Sequence, residues 1–564
     1  MGKQANLPAP KRADEAQTLN NSKRRNADFA EWGLFVAVMV WTFVSLCFPC
    51  LDMDFWWHLK TGNWIIEHGA VPYTDLYTYM DADKPWIDLH WGFQVLVAVL
   101  YRVGGLPLVT LSKAATITLA VAVAWSASGP NLRPWKKAAI WFFAIICICG
   151  RGNERPEMLT QLFLASWLWL ARVTDDRPKW IWWLIPLQLA WVNCHALFVL
   201  GLIVGFAYGV DAVIRHYFGG HLGLEPRTAG PKLSIVWIVG GLVVVACFVN
   251  PYFEQGAIFP LTLYRKFSVE KEFYSRNIGE FRPPIDFVMR FGIGNIYVVS
   301  ELFVWLIGAA SFIRLWWVER KWSPYRLILF AAYSHLAWQA SRNTNIFAFV
   351  STVIACQNFG HSSASVARSV VERHLARAKT LTYSMTAVIG CLILMVVTGT
   401  WNEFAERNKP FGLGEAPNWF IHAASKFAAQ PGFPERAFVA HIGQADVYVY
   451  HNGPKYKVFM DARLEVCSQQ TFQKLNDALA AMASGSSRWH AALKDEDLPV
   501  VILDSRTVRN SIAGLHGNPN WRLVYADPSA AVFLHKTRAD KLNLPEADHA
   551  PLMYPDGPPK RTRS

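Results

Sequence analysis

The sequence predicts a mainly α, polytopic helical membrane protein carrying a smaller α/β domain towards its C-terminal end. Three observations carry that reading. Of 564 residues, 52% are hydrophobic and only 17% are charged, against roughly a quarter charged in ordinary soluble domains. The apolar residues arrive in continuous blocks of roughly 15 to 23, enough for a hydrocarbon core of about 30 Å and without the alternation of a membrane β-barrel. After residue 400 the blocks end and short β-rich runs begin. These features exclude a soluble globular enzyme, a disordered chain and a fibrous protein.

Residues 1–28 form a polar, basic tail (Lys11-Arg12, Lys23-Arg24-Arg25), read as cytoplasmic. No small-residue cleavage site follows the first apolar run, so that run is expected to stay as an anchor. Apolar segments at 30–50, 107–127, 135–150, 157–172, 180–194, 196–214, 233–250, 294–318, 325–340, 344–358 and 380–400 predict about eleven spans within a membrane domain over 29–400. The segment 86–103 is also apolar but carries Asp88, His90 and Gln94 in its first half. If it does not cross, the connectors holding Arg133, Lys136 and Lys137, then Arg172, Arg177 and Lys179, and every later Lys/Arg-rich connector fall on one side. The positive-inside rule makes that side cytoplasmic. We therefore read 86–103 as a re-entrant or interfacial helix, with the N-terminus inside and the C-terminal domain outside. The net charge of +13, from 55 Lys+Arg against 42 Asp+Glu, then belongs to these connectors and calls for no nucleic acid.

Runs at 436–441, 446–450, 457–460, 499–503, 521–525 and 531–534 read as strands and 469–484 as a helix, giving an extracytoplasmic α/β domain over 401–550. A Pro-rich basic tail follows at 551–564. Of the nine cysteines only Cys467 lies in a polar region, so neither a disulfide framework nor a Cys-based zinc site is expected. The loop 250–293 mixes Arg265, Lys266, Arg276 and Arg282 with Phe and Tyr, and reads as a long loop without regular structure, of the kind that serves as a lid or substrate-binding element.

The chemistry concentrates after the first span, in Leu51-Asp52-Met53-Asp54-Phe55-Trp56-Trp57-His58-Leu59-Lys60. Asp54 is placed to cap a short helix ending near Gly69, and Asp54 and His58, four apart, share one face of it. Trp56, Trp57 and Trp64 suit the lipid headgroups. Asp52, Asp54 and His58 could hold a divalent metal, the one candidate cofactor, on the two aspartates, or accept a proton from a hydroxyl; an acidic cap in a solvated loop is the alternative. Asp88 and His90 form a second acid–imidazole pair, or a satisfied interfacial contact. Arg151 and Arg155, in Arg151-Gly152-Asn153-Glu154-Arg155-Pro156-Glu157, stand on the side where arginine is disfavoured, which suits a lipid phosphate or pyrophosphate; ion pairs with Glu154 or Glu157 are the alternative. Arg342 is placed in the same way. Asn193-Cys194-His195 interrupts a long apolar stretch, as a buried turn or as a substrate contact.

This arrangement resembles the GT-C superfamily, multi-spanning glycosyltransferases that use lipid-phosphate-linked sugars, with Asp52 and Asp54 matching its D-x-D-like motif. More closely, the chain is similar to a bacterial family of GT-C-like membrane proteins with no assigned reaction. The matching stretches are Asp54 to Gly62, Arg155-Pro156, Trp191-Val192-Asn193-Cys194-His195, Asn250-Pro251-Tyr252, Arg342 and Phe459-Met460-Asp461-Ala462-Arg463. Two positions depart from that family: Ala196-Leu197 replaces a Gly-Gly, and Gln444 to Tyr448 replaces an Asn-x-x-x-Gly-Gly-Tyr.

The resemblance implies a cell-envelope glycosyltransferase on the outer face of a bacterial cytoplasmic membrane. It would transfer a sugar from a polyprenyl-phosphate donor to an envelope glycan, lipid or protein. Asp54, Asp52 and His58 would be catalytic, and Arg155, Arg151, Arg342, Asp88, His90, Asn193 and His195 would bind substrate. A lipid-linked glycan transporter, or a non-catalytic scaffold presenting its C-terminal domain, are the other classes that the sequence allows.

Overall fold

In a computed structural model describing residues 29–81, 84–219, 223–225, 230–292, 295–364, 372–405, 409–486, 489 and 498–553, all eleven apolar stretches are helical. The expected tail 1–28, and 551–564 beyond its first three residues, lie outside the described residues. The bundle begins with α1 (Phe29–Leu46), α2 (Asp54–His68), α3 (Trp91–Ala127), α4 (Pro134–Gly150) and α5 (Glu157–Asp176). A 3-10 turn then leads into α6 (Leu184–Val192), α7 (Val199–Phe218) and α8 (Leu233–Ala246). After α9 (Phe253–Val269), α10 (Lys271–Asn277) and α11 (Pro284–Phe291) come α12 (Ile296–Glu319), α13 (Pro324–Gln339), α14 (Thr344–Ala364) and α15 (Glu372–Thr398).

Five helical segments are each long and apolar enough to cross a membrane: Phe29–Leu46, Trp91–Ala127, Ala196–Phe218, Ile296–Glu319 and Ala378–Thr398. The other expected spans are shorter or more polar; α4 has 17 residues and α6 nine. The chain is a membrane protein. Its connectors sort to two ends. One end carries residues 47–90, 151–156 and 250–292; the other carries the Lys/Arg-rich connectors around Arg133, Arg177 and Arg320.

Residues 91–103 are the first part of α3, set off from 106–127 by a non-helical break at Gly104 and Gly105, the latter at φ 62°. That first part packs against α2 so closely that a Cβ on Gly62 would fall 2.0 Å from the Gln94 carbonyl oxygen. Only glycine permits such an approach.

Two expectations are corrected. The stretch 250–293 is not irregular but mostly α9, α10 and α11, with Arg265 and Lys266 on α9, Arg276 on α10, and Arg282 in the break between α10 and α11 that Gly279 and Pro283 mark. Residues 446–450 are not a strand. They lie in a helix (Ile442–Asn452) whose N-terminus is capped by His441, which accepts the Gly443 N–H at 3.2 Å. Gly443 to Val449 are buried on every side, so the alternation Asp-Val-Tyr-Val-Tyr carries no strand signal there.

Labelling the remaining helices in order, α16 (Thr400–Phe404) and α17 (His422–Phe427) precede this helix, α18, and α19 (Gln469–Ala483) and α20 (Arg509–His516) follow it. Helices α17 to α20 cover a five-stranded sheet of β1 (Arg436–Val439), β2 (Lys457–Val458), β3 (Val500–Asp504), β4 (Trp521–Ala526) and β5 (Ala530–His535) in the order β2-β1-β3-β5-β4. The β1 strand is parallel to β2 and β3, and β5 is antiparallel to β3 and β4.

This domain is tied to the bundle through the loops on either side of α2. Cys50 N–H donates to Gly414 at 2.8 Å, and Trp419 Nε1 donates to the Leu51 carbonyl at 2.8 Å. Thr78 bridges to Val458 at the sheet edge. Arg463, fully buried, pairs with Asp461 at 2.6 Å and with Asp75 across the junction, and lies over the rings of Tyr77 and Trp86.

Gly62→Ala is therefore expected to lower stability by about 1–3 kcal/mol through overpacking, read as a fall in thermal unfolding midpoint. Gly33→Ala, with nothing near its Cβ, should leave the midpoint unchanged. Arg463→Met strands two buried carboxylates, Asp75 and Asp461, and should cost about 3–5 kcal/mol, with limited proteolysis releasing the 409–553 region.

Candidate active site

The loop joining α1 to α2 and the turn joining α4 to α5 meet under the C-terminal domain. The α4–α5 turn is tight: a Cβ on Gly152 would lie 2.1 Å from Leu46 at the end of α1, and the Asn153 carbonyl accepts the Arg155 N–H at 2.9 Å. Glu154 turns inward to Lys113, 2.8 Å away in a fully buried pair. This leaves Arg155 facing the aspartates.

Arg155 Nε donates to Asp52 Oδ2, and its Nη2 lies 3.1 Å from Asp54 Oδ2. Asp52 is buried and also accepts the Asp54 backbone N–H at 3.1 Å. It is thus Asp52, not the expected Asp54, that satisfies the first turn of α2; Asp54 is the first helical residue and keeps its carboxylate about a quarter exposed. The helix ends at Gly69 as its left-handed C-cap, φ 64°.

A third carboxylate, Glu280 from the segment between α10 and α11, completes the cluster. It accepts from Arg151 Nη2 at 3.0 Å and lies 3.6 Å from Arg155 Nη1 and 4.0 Å from Arg342 Nη1. Arg151 also stands 3.9 Å from Glu157. Together Asp52, Asp54, Arg155 and Glu280 line a cavity of about 600 Å³ closed from above by His441, Ile442 and Leu464 of the C-terminal domain.

The electrostatics follow from one guanidinium shared among acids in a poorly solvated place. Burial pushes the Asp54 carboxyl up to about 7; Arg155 opposes this, while Asp52 and Glu280 add to it. Burial acts the same way on Glu280, but Arg151, Arg155 and Arg342 together overcome it and hold Glu280 well below the usual range.

The other expected site residues form a second polar group behind α2 and do not line this cavity. Asp88 accepts from Gln94 at 3.0 Å and lies 3.3 Å from His90 Nδ1. The His58 ring is 5.5 Å from that of His90, which is 5.3 Å from that of His195. His195 Nδ1 is 2.7 Å from the Thr160 hydroxyl. Asn193 accepts from Trp91 at 3.0 Å and donates to the Leu189 and Val249 carbonyls. Burial, His90 and Arg155 all push the His58 imidazole down, so its neutral form is favoured.

Trp56 and Trp57 are not at a lipid surface. Both are buried, and Trp56 packs against Phe420, His422 and Tyr450 of the C-terminal domain. The domain covers the helix that the tryptophans were expected to anchor.

Three residues of the cluster have no local sequence signal. Glu280 is distant in the chain, and its only mark is an acid within a cationic, aromatic stretch. Lys409 lines the cavity and donates to Asn153 at 2.9 Å. Asp446, fully buried on α18, has its carboxyl pushed up by burial and by Asp54 and Asp461.

The donor set does not fit the divalent ion considered for Asp52 and Asp54. Both carboxylates are already paired with the same arginine, and among the described residues no three His, Cys, Asp or Glu side chains are grouped to hold a metal.

No protein-family model matches the chain, and no curated protein matches it. Solved structures do. The oligosaccharyltransferase of Archaeoglobus fulgidus, tethered with an acceptor peptide containing the NVT sequon, is 12% identical over 91% of this chain and 74% of that one, with a TM-score of 0.53. AglB from the same organism, in complex with an inhibitory peptide and a dolichol-phosphate, is 12% identical over 86% and 71%, with a TM-score of 0.51. ArnT from Cupriavidus metallidurans, bound to undecaprenyl phosphate, is 13% identical over 89% and 97%, with a TM-score of 0.47. The chain has a GT-C-like fold, shared with these two oligosaccharyltransferase structures.

Proposed function

We propose that the chain is a cell-envelope glycosyltransferase that moves a sugar from a polyprenyl-phosphate donor to an acceptor hydroxyl. It works on the outer face of a bacterial cytoplasmic membrane. One observation carries the reading: three guanidiniums converge on a single carboxylate, Glu280, beside a carboxyl, Asp54, whose pKa lies near neutrality. The first is the charge pattern of an anion site, and the second is a base matched to working pH. The orientation rests on the Lys/Arg-rich connectors around Arg133, Arg177 and Arg320, at the end away from this cavity.

In this mechanism the donor phosphate replaces Glu280 against Arg151, Arg155 and Arg342. The acceptor hydroxyl lies at Asp54, which takes its proton as the oxygen attacks the anomeric carbon. The bond from that carbon to the phosphate oxygen breaks, its electron pair stays on the phosphate, and the configuration inverts. Guanidiniums already in place stabilise the departing phosphate without reorganisation. Asp52 is a positioning residue that fixes Arg155. Behind it, His58, Asp88, His90, Asn193 and His195 hold α2 in register and are positioning residues too. No step passes through a metal.

Asp54→Asn should lower transfer by about a hundredfold or more while the protein still inserts and folds. Mass spectrometry of lipid extracts from cells carrying the variant should show the polyprenyl-phosphate sugar accumulating; an unchanged lipid and glycan profile contradicts the role. The rate should also depend on pH in one direction. The base works only when deprotonated and its pKa is raised to about 7, so transfer rises through that pH and levels above it. A rate flat between pH 6 and 8, a window spanning the usual working range of about one unit either side, contradicts the assignment.

A further inference from the structure

The opposite end of the bundle holds a second, unrelated cavity. Helices α4 and α5 run from the Asp54 end to this one, and 17 and 20 residues at about 1.5 Å each put the two ends roughly 25–30 Å apart. The cavity is about 370 Å³ and lies among the 128–131 turn, the last turns of α5 and α7, the start of α13 and the end of α14.

Most of its charges are matched. Asp211 pairs with Arg215 at 2.6 Å, Glu225 pairs with Arg326 and with His361 at 2.6 Å, and Asp175 accepts from Tyr208 at 3.2 Å; Asp176 is exposed. What is left unmet is a hydrogen-bond donor. Arg326 is only 3% exposed, yet its Nη1 has no hydrogen-bond partner, and half-buried Arg172 lines the same cavity. A buried guanidinium N–H without an acceptor is costly unless a ligand supplies one.

Ala171 and Tyr208 also line a groove of about 760 Å³ between α7 and α8, so the two spaces adjoin. This groove is almost wholly apolar and opens on the membrane-facing side past Phe206 and Trp237, which are 68% and 62% exposed. It is kept open by absent side chains: nothing lies within 4 Å of a Cβ placed on Gly209, Gly240 or Gly241. Both volumes fall in the roughly 300–1,000 Å³ range of ligand sites.

We propose that cavity and groove together bind one phosphate-headed membrane lipid. Its phosphate accepts from Arg326 and Arg172, and one of its chains lies along α7 and α8. The polar head and apolar tail of such a molecule match the polar cavity and the apolar groove beside it. Gly205 and Gly209 also have the spacing of a helix-dimer motif, but a Cβ on Gly205 would already meet Trp167 at 3.3 Å, and a second helix would leave Arg326 Nη1 without an acceptor.

The test uses the full chain in detergent, stripped of lipid and titrated with phosphatidic acid, with bound lipid read by native mass spectrometry. One phosphatidic acid should be retained per chain, in preference to diacylglycerol with the same tails. Retention should fall roughly tenfold in Arg326→Gln, as expected for loss of a charged hydrogen bond. It should fall comparably in Gly209→Leu/Gly240→Leu, which fills the groove without touching any charge, and should persist in Arg155→Gln at the other end.

Arg326→Gln alone is ambiguous if it misfolds, so the glycine pair decides: its lipid-free unfolding midpoint should match that of the unaltered chain. Equal retention by the glycine pair overturns the proposal, as does equal retention of diacylglycerol. Inorganic phosphate stabilising the chain as well as the lipid does would assign the cavity to a free anion instead. A dimer lost in the glycine pair would give the groove to a second copy.

Discussion

One arginine shared by two aspartates governs the rest of this structure. Arg155 cannot fully neutralise Asp52 and Asp54 together in a place that water reaches poorly, so the surplus negative charge is met in two ways. Asp52, buried and hydrogen-bonded, keeps the guanidinium. Asp54, at the cavity wall, keeps its proton up to near neutral pH. Removing the guanidinium from buried Asp52 is expected to cost about 3–5 kcal/mol, in keeping with how tightly the surrounding elements are constrained. The Gly152 turn is pressed on Leu46, Gly62 on Gln94, and the C-terminal domain is hydrogen-bonded to the loop that carries both acids.

The same constraint explains Glu280. Three arginines at one end of a membrane bundle would repel each other and bind stray anions; a carboxylate from the 271–291 segment settles among them. In the proposed mechanism this internal acid stands where the donor phosphate is received. The C-terminal domain roofs the cavity rather than standing apart from it, through residues 440–443, Ala462 and Leu464.

Much of the fold was legible because apolar run length is a direct consequence of the solvent, and each of the eleven runs is helical here. The meeting of Asp52, Asp54 and Arg155 was legible for a related reason: acids and arginines beside a hydrocarbon region are costly, so they announce themselves individually. What stayed hidden depends on burial by distant chain. Residues 446–450 alternate like a strand, but α18 is enclosed on all sides and alternation means nothing there. Trp56 and Trp57 have the composition of an interfacial belt until the domain covers them. Glu280 lies 125 residues after Arg155 in the chain (280 less 155), and no local pattern joins them.

The most direct test of the account is the position of the phosphate when the full chain is imaged by cryo-electron microscopy with undecaprenyl phosphate. The account requires that phosphate within hydrogen-bond reach of Arg155 and Arg151, with the Glu280 carboxylate displaced from both. A phosphate bound elsewhere, with Glu280 still paired to Arg151, would leave the aspartate–arginine cluster as a structural brace and remove the basis for sugar transfer at Asp54.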